Sequence, residues 1–151
     1  MYPHVWTPHM TVAAVVEQDE RFLVVEEIAD GTRVFNQPAG HLEPGESLAD
    51  AVVREVLEET RAHFVPEHII GIYRWVHPTN AETHVRIAFG GHLNGSEPAR
   101  ALDDPIIAPH WLRYDELQAC GETLRSPLVL GCVDDHRRGR AFPLGLLRDL
   151  V

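Results

Sequence analysis

The stretch SLADAVVREVLEET, residues 47–60, constrains the fold more than any other part of the chain. Ser47 followed by Asp50 is a capping-box-like start, and the LADAVVREVLEE that follows holds good helix formers without glycine or proline. The spacing predicts a helix from about Ser47 to Thr60. At about 100° per residue, Leu48, Ala51 and Val52 share an arc that continues, two turns later, into Glu55, Glu58 and Glu59. One face begins as core and ends as carboxylates. Like charges at i, i+3 and i+4 repel, and the negative end of the helix dipole adds to the cost. A hard divalent cation removes it, because Mg²⁺ takes oxygen ligands and shares its shell with water and substrate phosphates. Mg²⁺, or Mn²⁺, is the expected cofactor; the competing reading is a solvated acidic face.

With 151 residues, 44% of them hydrophobic, the chain can bury a core but has no room for a second domain, so residues 1–151 are read as one domain. The start MYPHVWTPHM lacks a basic segment followed by an apolar run, and nowhere do eighteen apolar residues follow one another. A cytoplasmic, soluble protein is expected, with no membrane partner, as monomer or homodimer. The net charge is −10 and every side-chain cation other than histidine is an arginine, because there is no lysine. That field repels a polynucleotide, and without lysine any side-chain phosphate clamp must be an arginine. Cys120 and Cys132 are isolated and read as thiols without a role, and the ten histidines show no zinc-ligand spacing.

Thr11–Val16 and Phe22–Glu26 read as strands joined in a hairpin at EQDER. A short strand through Val34 and Phe35 leads into NQPAGHL, and Ile69–Val76, His84–His92 and Pro109–Leu112 are further strands. A helix begins near Tyr114 or Asp115; another starts with Ser126 as N-cap and Pro127 at N1 and runs to about Arg138. Strands interleaved with helices imply an α/β fold with a mixed sheet covered on both sides.

Ahead of the helix and along it, Gly40, Glu46, Arg54, Glu55, Glu58 and Glu59 stand at the offsets G-x5-E-x7-R-E-U-x-E-E. Residues 40–62 thus resemble the Nudix box in all but one position, and the register of Gly40, Glu46 and Arg54 argues against a merely solvated face. The departure is Arg61, where the family has a glycine. A left-handed residue commonly ends a helix there, and arginine adopts that conformation at a cost of roughly 1 kcal/mol. Either the turn is strained or the helix exits differently. The carboxylates precede it, so the chemistry is expected to survive and the next loop to differ.

The segments PHMTVAAVV, FLVVEE, FNQPAGHL, LRSPLV and FPL, between about residues 8 and 144, resemble the bacterial Nudix phosphatases of the NudJ type. The resemblance implies the Nudix α/β/α sandwich, a divalent metal, and hydrolysis of nucleoside tri- and diphosphates and of hydroxymethylpyrimidine pyrophosphate, with phosphate released. It also implies that Glu58 and Glu59 are metal ligands, Glu55 a third ligand or the general base, the Gly40 carbonyl a further ligand, and Arg54 the residue holding the cluster. In relatives the base comes from inside or outside the box. Where many carry an acid just before the strand ending in Trp111, this chain has IIAPHW, so the base is open.

For the substrate, Phe35 and Trp75 are candidates to stack on a base and Arg86 and Arg125 to hold phosphate, with Tyr73 and His41 behind them. Phe35 and Trp75 compete with a plain core role. Two other functions fit the pattern: a pyrophosphatase for ADP-ribose, nucleotide sugars or damaged nucleotides, and a non-catalytic ligand sensor, which three mutually repelling carboxylates oppose.

Overall fold

The computed structural model describes residues 5–151; Met1–His4, part of the N-terminal segment discussed above, lie outside them. The helix expected from the glycine-free stretch is α1 (Leu48–Thr60). The Ser47 Oγ accepts the Asp50 amide hydrogen at 3.0 Å, satisfying a donor that the first turn leaves free. Ala51, Val52, Val56 and Glu59 face inward, so a carboxylate ends an otherwise apolar stripe.

The strands form two sheets. The mixed sheet has the order β5 (Ala39–His41), β1 (His9–Val15), β7 (Thr83–Ser96), β6 (Ala62–Val76) and β9 (Phe142–Pro143). Only β1 and β7 run parallel. In the second sheet β3 (Arg21–Ala29) pairs with β8 (Ile106–Arg113) along one edge, and with β2 (Glu17–Gln18) and β4 (Thr32–Asn36) along the other. The helices α2 (Tyr114–Cys120) and α3 (Leu128–Arg137) complete the fold. Ser126 Oγ accepts the Leu128 amide hydrogen, and Pro127 has helical angles, φ −60° and ψ −18°, as an N-cap and N1 pair should.

Side chains alternate across the strands into two cores. Val12, Ala14, Leu23, Ile69, Ile87 and Phe89 join Val52 and Val56 of α1 in one. Val15, Val24, Ile70 and Ala88 join Leu117 of α2 and Cys132 of α3 in the other. Burial on both faces explains why these strands read as continuous apolar runs.

The hairpin expected between the first two strands is corrected. β1 pairs with β5 and β7, not with β3; Glu17 and Gln18 fold back on β3, with the Val16 carbonyl accepting the Leu23 N–H at 3.0 Å. Both faces of β1 are covered, which suits it to the interior of the mixed sheet, so the chain changes sheet at Val16. Asp19 and Glu20, with φ of 50° and 61°, make the tight turn. Arg61 also has left-handed angles, φ 66° and ψ 4°, and its N–H reaches the Leu57 carbonyl. The turn that glycine would make is therefore kept by an arginine, and β6 begins immediately after it.

Candidate active site

One short segment, Asn36 to His41, passes between α1 and a cavity and faces both. On the helix side, Ala39 donates its N–H to Glu59 Oε1 at 2.7 Å. A Cβ on Gly40 would overlap the Glu55 carboxyl, so only glycine lets that carboxylate lie against the backbone. Arg54 gathers the remaining acids. Its Nε and Nη2 bind Glu46 at 2.9 and 2.7 Å, its Nη1 reaches Glu55 at 2.8 Å and Glu58 at 3.2 Å, and Nη2 also donates to the His41 carbonyl. The guanidinium fork suits such divided contacts.

One arginine does not neutralise this cluster. Glu46 is held below the usual carboxylate range by its hydrogen bonds from Arg54. Burial pushes Glu55 up to about 6 against the opposing pull of Arg54, and burial also raises Glu58. Glu59 is 7% exposed; burial pushes it up to about 9, with Glu55, Glu27 and Glu58 adding to the Ala39-opposed shift. No arginine or histidine forms an ion pair with Glu59 among the described residues. Among those residues no three His, Cys, Asp or Glu side chains are grouped so as to hold a metal ion by themselves. The donor set is instead open, all oxygen and short of positive charge, with a glycine cradle for one carboxylate. It fits a hard divalent cation that completes its shell from outside the protein.

The cavity holds about 390 Å³ and is walled by Ala39, Gly40 and His41 on the carboxylate side. The strand pairing explains its opposite wall. His41, Thr11, Arg86 and Tyr73 lie in one cross-strand row, and His9, His84 and Trp75 in another two residues along, so both rows project from one face of the mixed sheet. Arg86, Trp75, His84 and His41 line the cavity together with Arg125 from the segment just before α3. Arg86 is 5% exposed, and among the described residues it forms no ion pair with a carboxylate: Nη1 donates to Gln37 Oε1 at 2.9 Å, Nη2 to Asn36 Oδ1 at 3.3 Å, and Nε has no hydrogen-bond partner. Burial opposes its charge. Arg125 pairs with buried Glu27 at 2.8 Å.

Of the candidates named from the sequence, Trp75, Arg86, Arg125 and His41 therefore meet at one cavity. Phe35 does not line it. Its ring packs in the second core, edge-on to His110, while its carbonyl accepts the Arg125 N–H at 2.7 Å and so seats that residue. Tyr73 lies behind Arg86 and donates to Asp135 at 2.8 Å. One residue escaped the sequence reading: Asp103, on the link between β7 and β8, brings its carboxyl beside that of Glu58. Its signal was the acidic pair Asp103–Asp104, several residues earlier than the position searched before Trp111.

Residues 7–129 match the NUDIX domain family. The chain belongs to the Nudix family. It is 39% identical over 143 residues, 94% of this chain and 92% of the relative, to Phosphatase NudJ of Escherichia coli K12, and equally to that of Shigella flexneri. A NUDIX hydrolase structure from Nitrosomonas europaea superposes with a TM-score of 0.93 at 46% identity, covering 95% of this chain and 98% of that one. An ADP-ribose pyrophosphatase from Streptococcus suis, 20% identical over 90% of this chain and 96% of that one, shares the fold with a TM-score of 0.67. The Nudix α/β architecture and a hydrolase acting on phosphorus-containing acid anhydrides follow, and Nudix hydrolases generally use divalent metal ions. No helix among the described residues is long and apolar enough to cross a membrane.

Proposed function

We propose that this Nudix hydrolase acts as a Mg²⁺-dependent phosphatase, with Mn²⁺ a substitute, on nucleoside tri- and diphosphates and on hydroxymethylpyrimidine pyrophosphate, releasing phosphate. The observation that carries the reading is the shared wall: Ala39 and Gly40 hold Glu59 and Glu55 on one side and border a cavity containing Arg86 on the other. A phosphate chain lying along that wall would place one end at the carboxylates and another at a buried guanidinium that has no carboxylate partner among the described residues. The similarity to Phosphatase NudJ over nearly the whole chain supports release of phosphate.

Glu55, Glu58 and Glu59, with the Gly40 carbonyl, would hold the cation. When bound, it neutralises charge on phosphate oxygens and lowers the pKa of a coordinated water. The protein's own share is positioning. Arg54 fixes Glu55 and Glu58, the Ala39 N–H fixes Glu59, and Arg86 and Arg125 bind non-reacting phosphate oxygens. Where Glu55 serves as the general base instead of as a third ligand, its carboxyl, raised to about 6 by burial, would take the proton as water attacks phosphorus and the anhydride P–O bond breaks. Trp75 and His84 offer flat surfaces for the heteroaromatic part.

The test is a panel of nucleoside triphosphate, nucleoside diphosphate, ADP-ribose and hydroxymethylpyrimidine pyrophosphate, with Mg²⁺ or with chelator. Free phosphate is assayed with and without added inorganic pyrophosphatase. Phosphate appearing directly, and only with metal, from the tri- and diphosphate is the expected result. A signal that requires the added enzyme, or products from ADP-ribose alone, moves the chain to a pyrophosphatase reading; silence throughout points to a sensor.

A further inference from the structure

Arg61, the one departure from the box pattern, does more than end α1. Its carbonyl accepts the Glu97 N–H at 2.8 Å, and its side-chain Nε donates to the Arg100 carbonyl. A little further on, the Asp103 N–H reaches the Glu58 carbonyl at 3.1 Å. The exposed segment 97–103 is thus fastened to the last turn of the catalytic helix at three points. A glycine at position 61 could make the left-handed turn and offer its carbonyl to Glu97, but it could not make the middle contact.

What this fastening achieves is an approach of like charges. Asp103, on an exposed stretch, comes to rest with its carboxyl next to Glu58, whose other carboxylate neighbours are already short of positive charge. Two carboxylates share such a position stably when a cation joins them, and an oxygen-only set suits a hard divalent ion. We propose that Arg61 is a positioning residue, locking the 97–103 segment against α1 so that Asp103 joins Glu58 in holding the divalent cation. This rests on the metal-dependent reading above and adds to it a carboxylate from outside the box and the residue that places it.

The experiment uses metal-free protein titrated with Mn²⁺, the free aqueous ion being read by electron paramagnetic resonance, with no substrate present. Asp103→Asn should weaken Mn²⁺ binding at least fivefold, and Arg61→Gly at least twofold. The double variant should bind no more weakly than Asp103→Asn alone, because Arg61 acts through Asp103. Arg100→Ala, which keeps the carbonyl that Arg61 contacts, should bind as wild type. Circular dichroism melts of Arg61→Gly at or above the wild-type midpoint would show that the turn survives. Wild-type Mn²⁺ affinity in either single variant overturns the proposal, as does a double variant whose losses multiply. Wild-type protein that binds no Mn²⁺ overturns it together with the metal site. With no substrate in the assay, a failure of nucleotide hydrolysis is read separately.

Discussion

Replacing Glu59 with glutamine should make the metal-free protein more stable while removing its activity. Glu59 is 7% exposed, and in the folded chain its carboxyl is raised from 4.5 to about 9, chiefly by burial. A carboxyl raised in this way binds its proton more tightly folded than unfolded. The stability it contributes is present below pH 4.5 and is lost as the pH climbs towards 9. At pH 7.5, three units above the unfolded value, the loss is about 4 kcal/mol at 1.36 kcal/mol per unit. Glutamine carries no such loss and keeps an oxygen for the Ala39 N–H, although its amide hydrogens, left without partners, cost about 1 kcal/mol. The net gain of about 3 kcal/mol corresponds to roughly 6–12 °C in Tm for a chain of this size. Thermal melts in chelator at pH 5 and pH 7.5 measure it: the variant should melt well above wild type at pH 7.5 and near it at pH 5. Excess Mg²⁺ should narrow the gap by stabilising only the wild type. A Glu59→Gln protein that melts with or below wild type at pH 7.5, or that is favoured equally at both pH values, refutes the claim that a buried Glu59 carboxyl, held protonated in the fold at that pH, weighs on stability.

Two further substitutions separate the two sides of the shared wall. Gly40→Ala adds a methyl group where the Glu55 carboxyl now lies; because a side-chain end can swing away, the fold should persist while kcat falls by about a hundredfold or more, and near-normal turnover would mean that Glu55 has no fixed place in the chemistry. Arg86→Gln removes the buried guanidinium from the cavity; at about 1.5–3 kcal/mol for a charge-assisted hydrogen bond, KM for nucleoside diphosphate should rise roughly tenfold to a hundredfold with a smaller change in kcat, whereas an unchanged KM would place the phosphates elsewhere.

The parts legible in the sequence were those with local causes. Ser47, the uninterrupted helix formers and the Ser126–Pro127 pair act within one or two turns, and each gave an element where expected. β6 starts seven residues before the expected Ile69: Pro66, which has no N–H for a ladder, argues against a strand there, and the strand absorbs it with a register shift at Pro66/His68. The partner of β1 was not legible either: its parallel neighbour β7 lies more than sixty residues away, whereas the tempting hairpin partner was adjacent. The same division runs through the site. The box acids follow from helix geometry, but their neighbour Asp103 arrives through a loop, and Arg86 and Trp75 meet Arg125 only once two sheets and a helix have packed. Phe35, equally plausible in the sequence, turned the other way and entered the core.

The short strand β5 is the edge of the mixed sheet, bonded to β1 on one side only. A free N–H on such an edge can template pairing with another chain, and proteins cover or blunt these positions to stay unassociated. Here the cover on Ala39 is Glu59 itself. A carboxylate proposed above to hold the cation thus also guards an edge against strand addition, so shortening Glu59 to alanine should open that edge to another chain as well as lower activity.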